Sequence, residues 1–490
     1  MATALAVVAG IGANVALGAI RNGGGSGRGT STAATTIELP AQAPQKAQTP
    51  ANIVAGQWTW VGGSNSRNQY GTYGTKGIAA PENVPGARSG SVSRTDSSGN
   101  LLLFGGDGYA ADTLGLLNDL WKWDGTSWAW VNGFNTPSAS GYYGTQGVPS
   151  QWTVPGARSD LVSWIDTSGN FRIFGGFGYP KLNTSSGYLN DLWKWDGTSW
   201  TWVSGTDGIH EVGRYGTKGV PYYWNVPGSR MSYASSTDKA GNLWLFGGDG
   251  RDGLGGYGYL NDLWRWDGTN WTWMKGSDGS DSDTEGSWGV KGAAYSTNVP
   301  CGRGRSTSWT DTSGNLWLFG GITNYTSIGN GLLNDLWKWD GTSWTWMSGS
   351  ATVNQAGTYG TKGVAGAGNV PGGREAAASW ADASGNFWLF GGYGFADNPY
   401  SRGSLNDLWK WDGTNWTWVS GSSLLDQSGI SGMKGTPSAA NMPGGRSRAG
   451  VTWTDASGNL WMFGGSGLDA TGGYGKLNDL WVYAGQRREN

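Results

Sequence analysis

Residues 189–205 read LNDLWKWDGTSWTWVSG, and residues 333–349 read LNDLWKWDGTSWTWMSG, which differs at one position. The element LND recurs at intervals of 71 to 73 residues, and its aspartates are Asp119, Asp191, Asp262, Asp335, Asp407 and Asp479. A fixed period over a whole chain is typical of proteins in which copies of one supersecondary unit pack side by side. The sequence therefore predicts one repeat architecture rather than several unrelated domains.

The composition agrees with a folded repeat protein. The chain of 490 residues contains 90 Gly and 34 Trp, and 13% of its residues are aromatic. Disordered chains are also rich in Gly, but they are poor in aromatic residues. A net charge of -2 gives no support to nucleic-acid binding, which needs a clustered basic surface. Cys301 is the only cysteine, so an intrachain disulfide is excluded.

Each unit is predicted to form four strands, here named a to d. In the third unit, strand a is MSYASST (231–237) and strand b is LWLFGG (243–248). Strand c is LNDLWRW (260–266), and strand d is WTWM (271–274). The turns DKAGN and DGTN join strands a to b and c to d, and short β-rich runs between such turns are typical of antiparallel sheets.

Four strands per unit, with a Gly-Gly pair after strand b and aromatic residues in strands c and d, resemble the kelch repeat. The resemblance covers residues 53–490 and implies an all-β fold, a six-bladed β-propeller of four-stranded blades. These units are longer than the roughly 50 residues of a kelch repeat. The additional residues lie between strands d and a, in connections that we expect to form a thick loop face on one side of the disc.

The two ends of the chain are expected to meet in one blade. The sixth unit ends without a WTW strand, whereas QWTWVGG stands alone at residues 57–63. We therefore predict that residues 57–61 complete the last blade and leave no open edge in the ring. Of the 34 tryptophans, 31 occupy repeated strand positions, where we expect them to fill the core between blades.

The N-terminal residues are predicted to lie outside the propeller. Residues 1–22 contain an apolar run over residues 2–20, which predicts a secretion signal, a membrane anchor or a segment that docks on a neighbouring subunit. The run lacks the basic residues that normally precede a signal, and Asn14 interrupts it. Residues 23–52 are predicted to be a flexible linker. We expect a secreted or cell-surface protein that contacts a membrane only through residues 2–20.

Six arginines are candidate ligand-binding residues. They follow the motif VPG or its variants at the entrance of strand a, which is expected to line the central channel, and they are Arg88, Arg158, Arg230, Arg303, Arg374 and Arg446. Five lysines are expected on the same side: Lys76, Lys218, Lys291, Lys362 and Lys434. A positive face would bind an acidic glycan or an acidic protein. The alternative is one structural ion pair per blade between each arginine and the LND aspartate, since the two are equal in number.

Aromatic residues of the long connections are the second group of candidates. They are Trp152, Trp224, Trp288, Tyr143 and Tyr223, and Tyr142 and Tyr222 lie beside them. Exposed aromatic rings stack on sugars and anchor protein contacts. The alternative is that these rings pack the loops against each other.

Catalysis is not expected. The kelch propeller of galactose oxidase binds copper through tyrosine and histidine ligands and carries a Tyr–Cys crosslink, but here His210 is the single histidine. The turn DGTSW resembles the Asp box of sialidases, although no Tyr–Glu pair stands out. Asp278, Asp281 and Asp283 were considered as Ca²⁺ ligands, against the alternative of a solvated acidic loop. We therefore predict no cofactor and no metal.

The favoured prediction is a non-catalytic, extracytoplasmic binding or scaffold protein that recognises a glycan or a protein through its loop face. The alternative is a self-assembling subunit of an extracellular filament or surface layer, in which oppositely charged faces stack or residues 2–20 dock on a neighbour. A glycan-active enzyme is the third hypothesis.

Overall fold

The computed structural model describes residues 53–182, 185–281, 284–324, 329–448 and 450–485. These ranges contain thirty β-strands and no α-helix, and the strands form six antiparallel sheets. The sheets are arranged as a six-bladed β-propeller, which confirms the predicted fold class. Within the described ranges, no helix could span a membrane. The predicted N-terminal segment 1–22 and linker 23–52 lie outside the described residues.

The blades are numbered by the order of their LND motifs. Blade 1 contains β2 (Arg88–Ser89), β3 (Val92–Thr95), β4 (Leu101–Tyr109), β5 (Leu114–Trp123) and β6 (Trp128–Asn132). Blade 2 contains β7 (Arg158–Ser159), β8 (Val162–Ile165), β9 (Phe171–Gly178), β10 (Gly187–Trp195) and β11 (Trp200–Ser204). Blade 3 contains β12 (Arg230–Met231), β13 (Ala234–Thr237), β14 (Leu243–Arg251), β15 (Tyr257–Trp266) and β16 (Trp271–Lys275).

The other three blades have the same four-stranded core. Blade 4 contains β17 (Ala294–Tyr295), β18 (Thr307–Thr310), β19 (Leu316–Thr323), β20 (Gly331–Trp339) and β21 (Trp344–Ser348). In this blade, the short strand β17 pairs with strand d at the outer edge. Blade 5 contains β22 (Arg374–Glu375), β23 (Ala378–Ala381), β24 (Phe387–Phe395), β25 (Arg402–Trp411) and β26 (Trp416–Ser420). Blade 6 contains β27 (Arg446–Ser447), β28 (Val451–Thr454), β29 (Leu460–Leu468), β30 (Tyr474–Tyr483) and β1 (Trp58–Gly62).

Strand a is the innermost strand of every blade, and in five blades it is divided into two short pieces that pair with the same strand b. The inner strands contact their neighbours in turn, and the contact of β28 with β3 closes the ring around a central channel.

The N-terminal strand completes the sixth blade, as predicted. β1 pairs antiparallel with β30, with Trp58 opposite Tyr483 and Trp60 opposite Trp481. Strand β1 therefore takes the place that strand d has in the other blades.

The long d–a connections run along the outer edge of the disc, which differs from the expected loop face. Each connection covers strand d of the blade that it leads into: the amide of Gly77 donates to the carbonyl of Trp130 (2.7 Å), and the amide of Gly219 donates to that of Trp273 (2.8 Å). The equivalent bond occurs in all six blades. An uncovered edge strand is a template for aggregation, so the additional residues of each unit protect that edge.

The core contains six large clusters, each of which combines residues of two adjacent blades, and a small seventh cluster around Cys301 and Leu333. At every interface the Phe of the FGG motif contacts the first Trp of strand d in the next blade. The ring centroids lie 5.1 to 5.4 Å apart in the pairs Phe104–Trp200, Phe174–Trp271, Phe246–Trp344, Phe319–Trp416, Phe390–Trp58 and Phe463–Trp128. These contacts agree with the predicted role of the strand tryptophans.

Closure by β1 predicts a large cost for Trp58→Ala. The side chain of Trp58 is 1% exposed and contacts Phe390, Trp481 and Tyr483. Its removal should lower the free energy of unfolding by about 3–5 kcal/mol, which urea denaturation would measure. Trp152→Ala, at a side chain that is 71% exposed, is the control and should change stability by less than about 0.5 kcal/mol. Equal effects of the two variants would contradict closure by β1.

Candidate functional site

The six repeat arginines are buried in ion pairs. In blade 3, Nη1 of Arg230 lies 2.7 Å from Oδ1 of Asp262, and Nη2 lies 2.8 Å from Oδ2. The same guanidinium donates to the carbonyls of Gly228 and Gly247 at 3.0 Å. All six arginines are at most 1% exposed and have this arrangement; their partners are Asp119, Asp191, Asp262, Asp335, Asp407 and Asp479.

In five of the six blades, two further donors complete the surroundings of the LND aspartate. In blade 3, the hydroxyl of Tyr215 and Nε1 of Trp264 donate to Oδ2 of Asp262 at 2.6 and 2.7 Å. Tyr73, Tyr143 and Tyr359 have the role of Tyr215 in their blades. In blade 4 Trp288 takes the same position, and its Nε1 lies 3.2 Å from Oδ2 of Asp335.

These contacts show where eight of the candidate ligand-binding residues lie. The six arginines form the structural ion pairs that were the alternative to ligand binding, because none of their guanidinium groups faces the surface. Tyr143 is 6% exposed, and Trp288 is partly buried against Trp337. The tyrosine–aspartate bond was missed, although a signal was present: an aromatic residue precedes the LND aspartate by 46 to 48 residues in five units.

Burial of the four tyrosines predicts a loss of stability in alkali. Burial and the neighbouring carboxylate raise the pKa of Tyr73, Tyr143, Tyr215 and Tyr359 above the usual value. In the unfolded chain these phenols ionise near pH 10, whereas in the folded protein they stay protonated. Their contribution is therefore complete below pH 10 and is lost above it, by about 1.4 kcal/mol per pH unit for each tyrosine.

Denaturant unfolding between pH 9 and pH 12 would measure this slope. Tyr359→Phe should remove one tyrosine's share of it. An absorbance titration in which all 20 tyrosines of the folded protein ionise near pH 10 would contradict the prediction.

The lysines that were expected on a positive face lie instead along the outer edge. Nζ of Lys76 is 4.2 Å from the ring centroid of Trp130 and donates to the carbonyl of Gly133 at 2.8 Å. The cation–π contact recurs in four other blades, for Lys218, Lys291, Lys362 and Lys434. With the arginines buried and the lysines bound to strand d, the charges that suggested an acidic ligand are already engaged.

Comparison of the six units separates the positions that are repeated from those that vary. We call residues 71–88, 141–158, 213–230, 286–303, 357–374 and 429–446 the rim segments, and they align without a gap. Most positions of the rim segments are repeated, but four consecutive positions differ widely. These positions, which we call the tips, read AAPE (79–82), PSQW (149–152), PYYW (221–224), AYST (294–297), AGAG (365–368) and PSAA (437–440).

The tips of blades 2 and 3 carry exposed aromatic side chains. Trp152 is 71% exposed, Tyr223 is 73% exposed and Trp224 is 51% exposed. The ring centroids of Tyr223 and Trp224 lie 5.6 Å apart, and the guanidinium carbon of Arg214 lies 4.9 Å from the Trp224 ring. The structure thus places three of the five aromatic candidates at the outer edge of the disc, with their rings accessible.

A groove of about 580 Å³ runs beside the tip of blade 3. Tyr223 and Trp224 line it on one side, and strand β11 of blade 2 lines it on the other. Arg214, Glu211 and Asn270 add charged and amide groups to the lining. The groove therefore combines accessible aromatic rings with hydrogen-bonding groups.

Charged residues also surround the mouth of the central channel, but there they are paired. Nη1 of Arg305 lies 3.2 Å from Oε1 of Glu375, and Nη1 of Arg448 lies 3.7 Å from Oδ2 of Asp160. Asp160, Arg305 and Arg448 have φ between 41° and 56°, a left-handed conformation that is costly for residues other than glycine.

Within the described ranges, no metal or thiol centre is formed by the acidic loop, by Cys301 or by His210. Oδ1 of Asp281 accepts the amide of Tyr259 at 2.9 Å, and Asp283 lies outside the described residues. The described residues include no group of three His, Cys, Asp or Glu side chains that could hold a metal ion. Burial raises the pKa of the Cys301 thiol, and His210 lies against Tyr188.

Comparisons with known proteins add little to this geometry. No protein-family model matches the sequence, and no curated protein matches it significantly. Among solved structures, a fungal alcohol oxidase of the AA5 family in complex with copper is similar, with 12% identity and a TM-score of 0.41. The similarity covers 85% of this chain and 77% of that chain. A likeness this distant carries no argument about function.

Proposed function

We propose that this propeller is a non-catalytic carbohydrate-binding protein that holds a glycan at the outer edge of blades 2 and 3. The observation that carries the proposal is the position of Trp152, Tyr223 and Trp224. They are exposed, and they stand at the four positions where otherwise similar units differ. A side chain that only supported the fold would be expected in every unit.

The chemistry of the groove suits a sugar. Indole and phenol rings offer flat apolar surfaces, and the ring of Trp224 contacts Tyr223 and Arg214 before any ligand arrives. Glu211, Arg214 and Asn270 supply donors and acceptors for hydroxyl groups. A groove of several hundred cubic ångströms is large enough for a small ligand.

The charge distribution favours a neutral glycan at this groove over an acidic one. The acidic-ligand hypothesis depended on the repeat arginines and lysines, which are buried or bound to strand d. Among the described residues that line the groove, Glu211 is the one carboxylate. Most glycoside hydrolases use two carboxylates, so this lining supports binding without hydrolysis. We also propose a location outside the cytoplasm, on the basis of the apolar residues 2–20.

Substitution of Trp224 by alanine tests the proposal. In a screen of neutral oligosaccharides followed by calorimetry, Trp224→Ala should weaken binding by about 2 kcal/mol, or about 30-fold. The melting temperature should change little, because about half of the Trp224 side chain is exposed. Tyr223→Ala should act in the same direction.

Glu82 and Thr297 occupy the position of Trp224 in the rim segments of blades 1 and 4, so Glu82→Ala and Thr297→Ala are matched controls. They should leave binding unchanged. An undiminished affinity of Trp224→Ala, or an equal loss in the two controls, would refute glycan binding at this edge.

A further inference from the structure

The central channel is a cavity of about 600 Å³ enclosed by the six inner strands. A hydroxyl residue recurs at one position of every inner strand: Ser93, Ser163, Ser235, Ser308, Ser379 and Thr452. Oγ of Ser308 donates to the carbonyl of Ser235 at 2.8 Å, and Oγ1 of Thr452 donates to that of Ser379 at 2.9 Å. Four of these residues, Ser235, Ser308, Ser379 and Thr452, line the cavity, so its wall is polar and rich in hydroxyl groups.

One inner strand carries a cation where most others carry an indole. The residue that follows the hydroxyl position is Trp164, Trp309, Trp380 and Trp453 in four blades and Ser236 in blade 3. In blade 1 it is Arg94, which lines the cavity together with Trp309, Trp380 and Trp453. Arg94 lies opposite Leu102 in the sheet, whereas Trp309 and Trp453 stack on tryptophans of strand b.

Arg94 has no carboxylate partner among the described residues. Its Nη1 donates to the carbonyl of Ser93 at 2.8 Å. The repeat arginine of the same blade, Arg88, is by contrast bound to both oxygens of Asp119. Burial lowers the pKa of Arg94 to about 10, because removing this charge from water is costly.

The acidic residues nearest in sequence do not compensate this charge. Asp96 lies two positions after Arg94, but its Oδ1 accepts the amides of Ser98 and Asn100 at 2.9 Å, so its carboxylate is directed into the a–b turn. Neither Asp96 nor any equivalent turn aspartate lines the cavity. A partly buried guanidinium that no described carboxylate pairs, in the wall of a polar cavity, is a favourable place for an anion.

We propose that the central channel binds a sugar acid of monosaccharide size, with its carboxylate on Arg94 and its hydroxyl groups on the serines and threonines that line the cavity. The cavity of about 600 Å³ is far larger than an inorganic ion needs and lies in the range of small-molecule sites. This site is separate from the edge groove, since the two share no lining residue.

Calorimetry with the full chain tests the proposal, with glucuronate and galacturonate as probes and glucose, acetate and sulfate as comparisons. The uronates should bind, and Arg94→Gln should weaken that binding at least tenfold. Arg402→Gln removes one positive charge from an exposed residue and should have no effect. Arg94→Trp places in blade 1 the residue that four other blades carry, so it is a second variant that the fold accommodates, and it should also lose binding.

Three results would overturn the proposal. The first is a failure of the unmodified protein to bind either uronate, or an unchanged affinity in Arg94→Gln or Arg94→Trp. The second is binding of acetate or sulfate as tight as that of the uronates, which would identify an adventitious ion only. The third is loss of uronate binding in Trp224→Ala, because it would locate the sugar acid at the edge groove. Retained uronate binding in Trp224→Ala would support the channel site even if no neutral glycan binds.

Discussion

The buried arginine–aspartate pair is the interaction on which the other features of each blade depend. Removing two charges from water is costly, and their attraction compensates only when the remaining donors and acceptors are also satisfied. In blade 3 the carbonyl of Gly247, the hydroxyl of Tyr215 and the indole of Trp264 meet this requirement around Arg230 and Asp262. Gly247 has a φ of 66°, so the bulge that presents this carbonyl favours glycine.

The sequence predicted what depends on period and alternation. Six units, four strands in each and the pairing of residues 57–61 with the last unit follow from local pattern and from the absence of a WTW strand at the C-terminus. The equal number of arginines and LND aspartates was enough to raise the ion pair as an alternative. The path of the d–a connections was not predictable in this way, because it depends on how the free edge of strand d meets a segment without strand periodicity.

The candidate aromatic residues show more clearly what local sequence pattern cannot predict. Tyr143 and Trp152 are nine residues apart in one connection, yet the first is 6% exposed and the second is 71% exposed. Aromatic composition does not distinguish them, but the comparison of rim segments does: Tyr143 stands at a repeated position and Trp152 at a variable one. When repeated units share one packing arrangement, residues that occur in every unit are explained by the fold. The positions at which the units differ are therefore the ones that indicate function. The same argument selects Arg94 among the inner-strand residues.

Blade 6 shows what the repeat tolerates when one part of this arrangement is missing. Ser431 stands where the other blades have an aromatic donor, so Asp479 has one fewer aromatic partner than Asp262. In the sequence, Asp455 follows Arg446 by nine positions, whereas the equivalent spacing is eight in the other units, and strand d of this blade comes from the other end of the chain. Three departures therefore coincide at the closure of the ring. Blade 6 nevertheless keeps its arginine–aspartate pair and the antiparallel pairing of β1 with β30, so the repeat accommodates these changes without losing the contacts that define a blade.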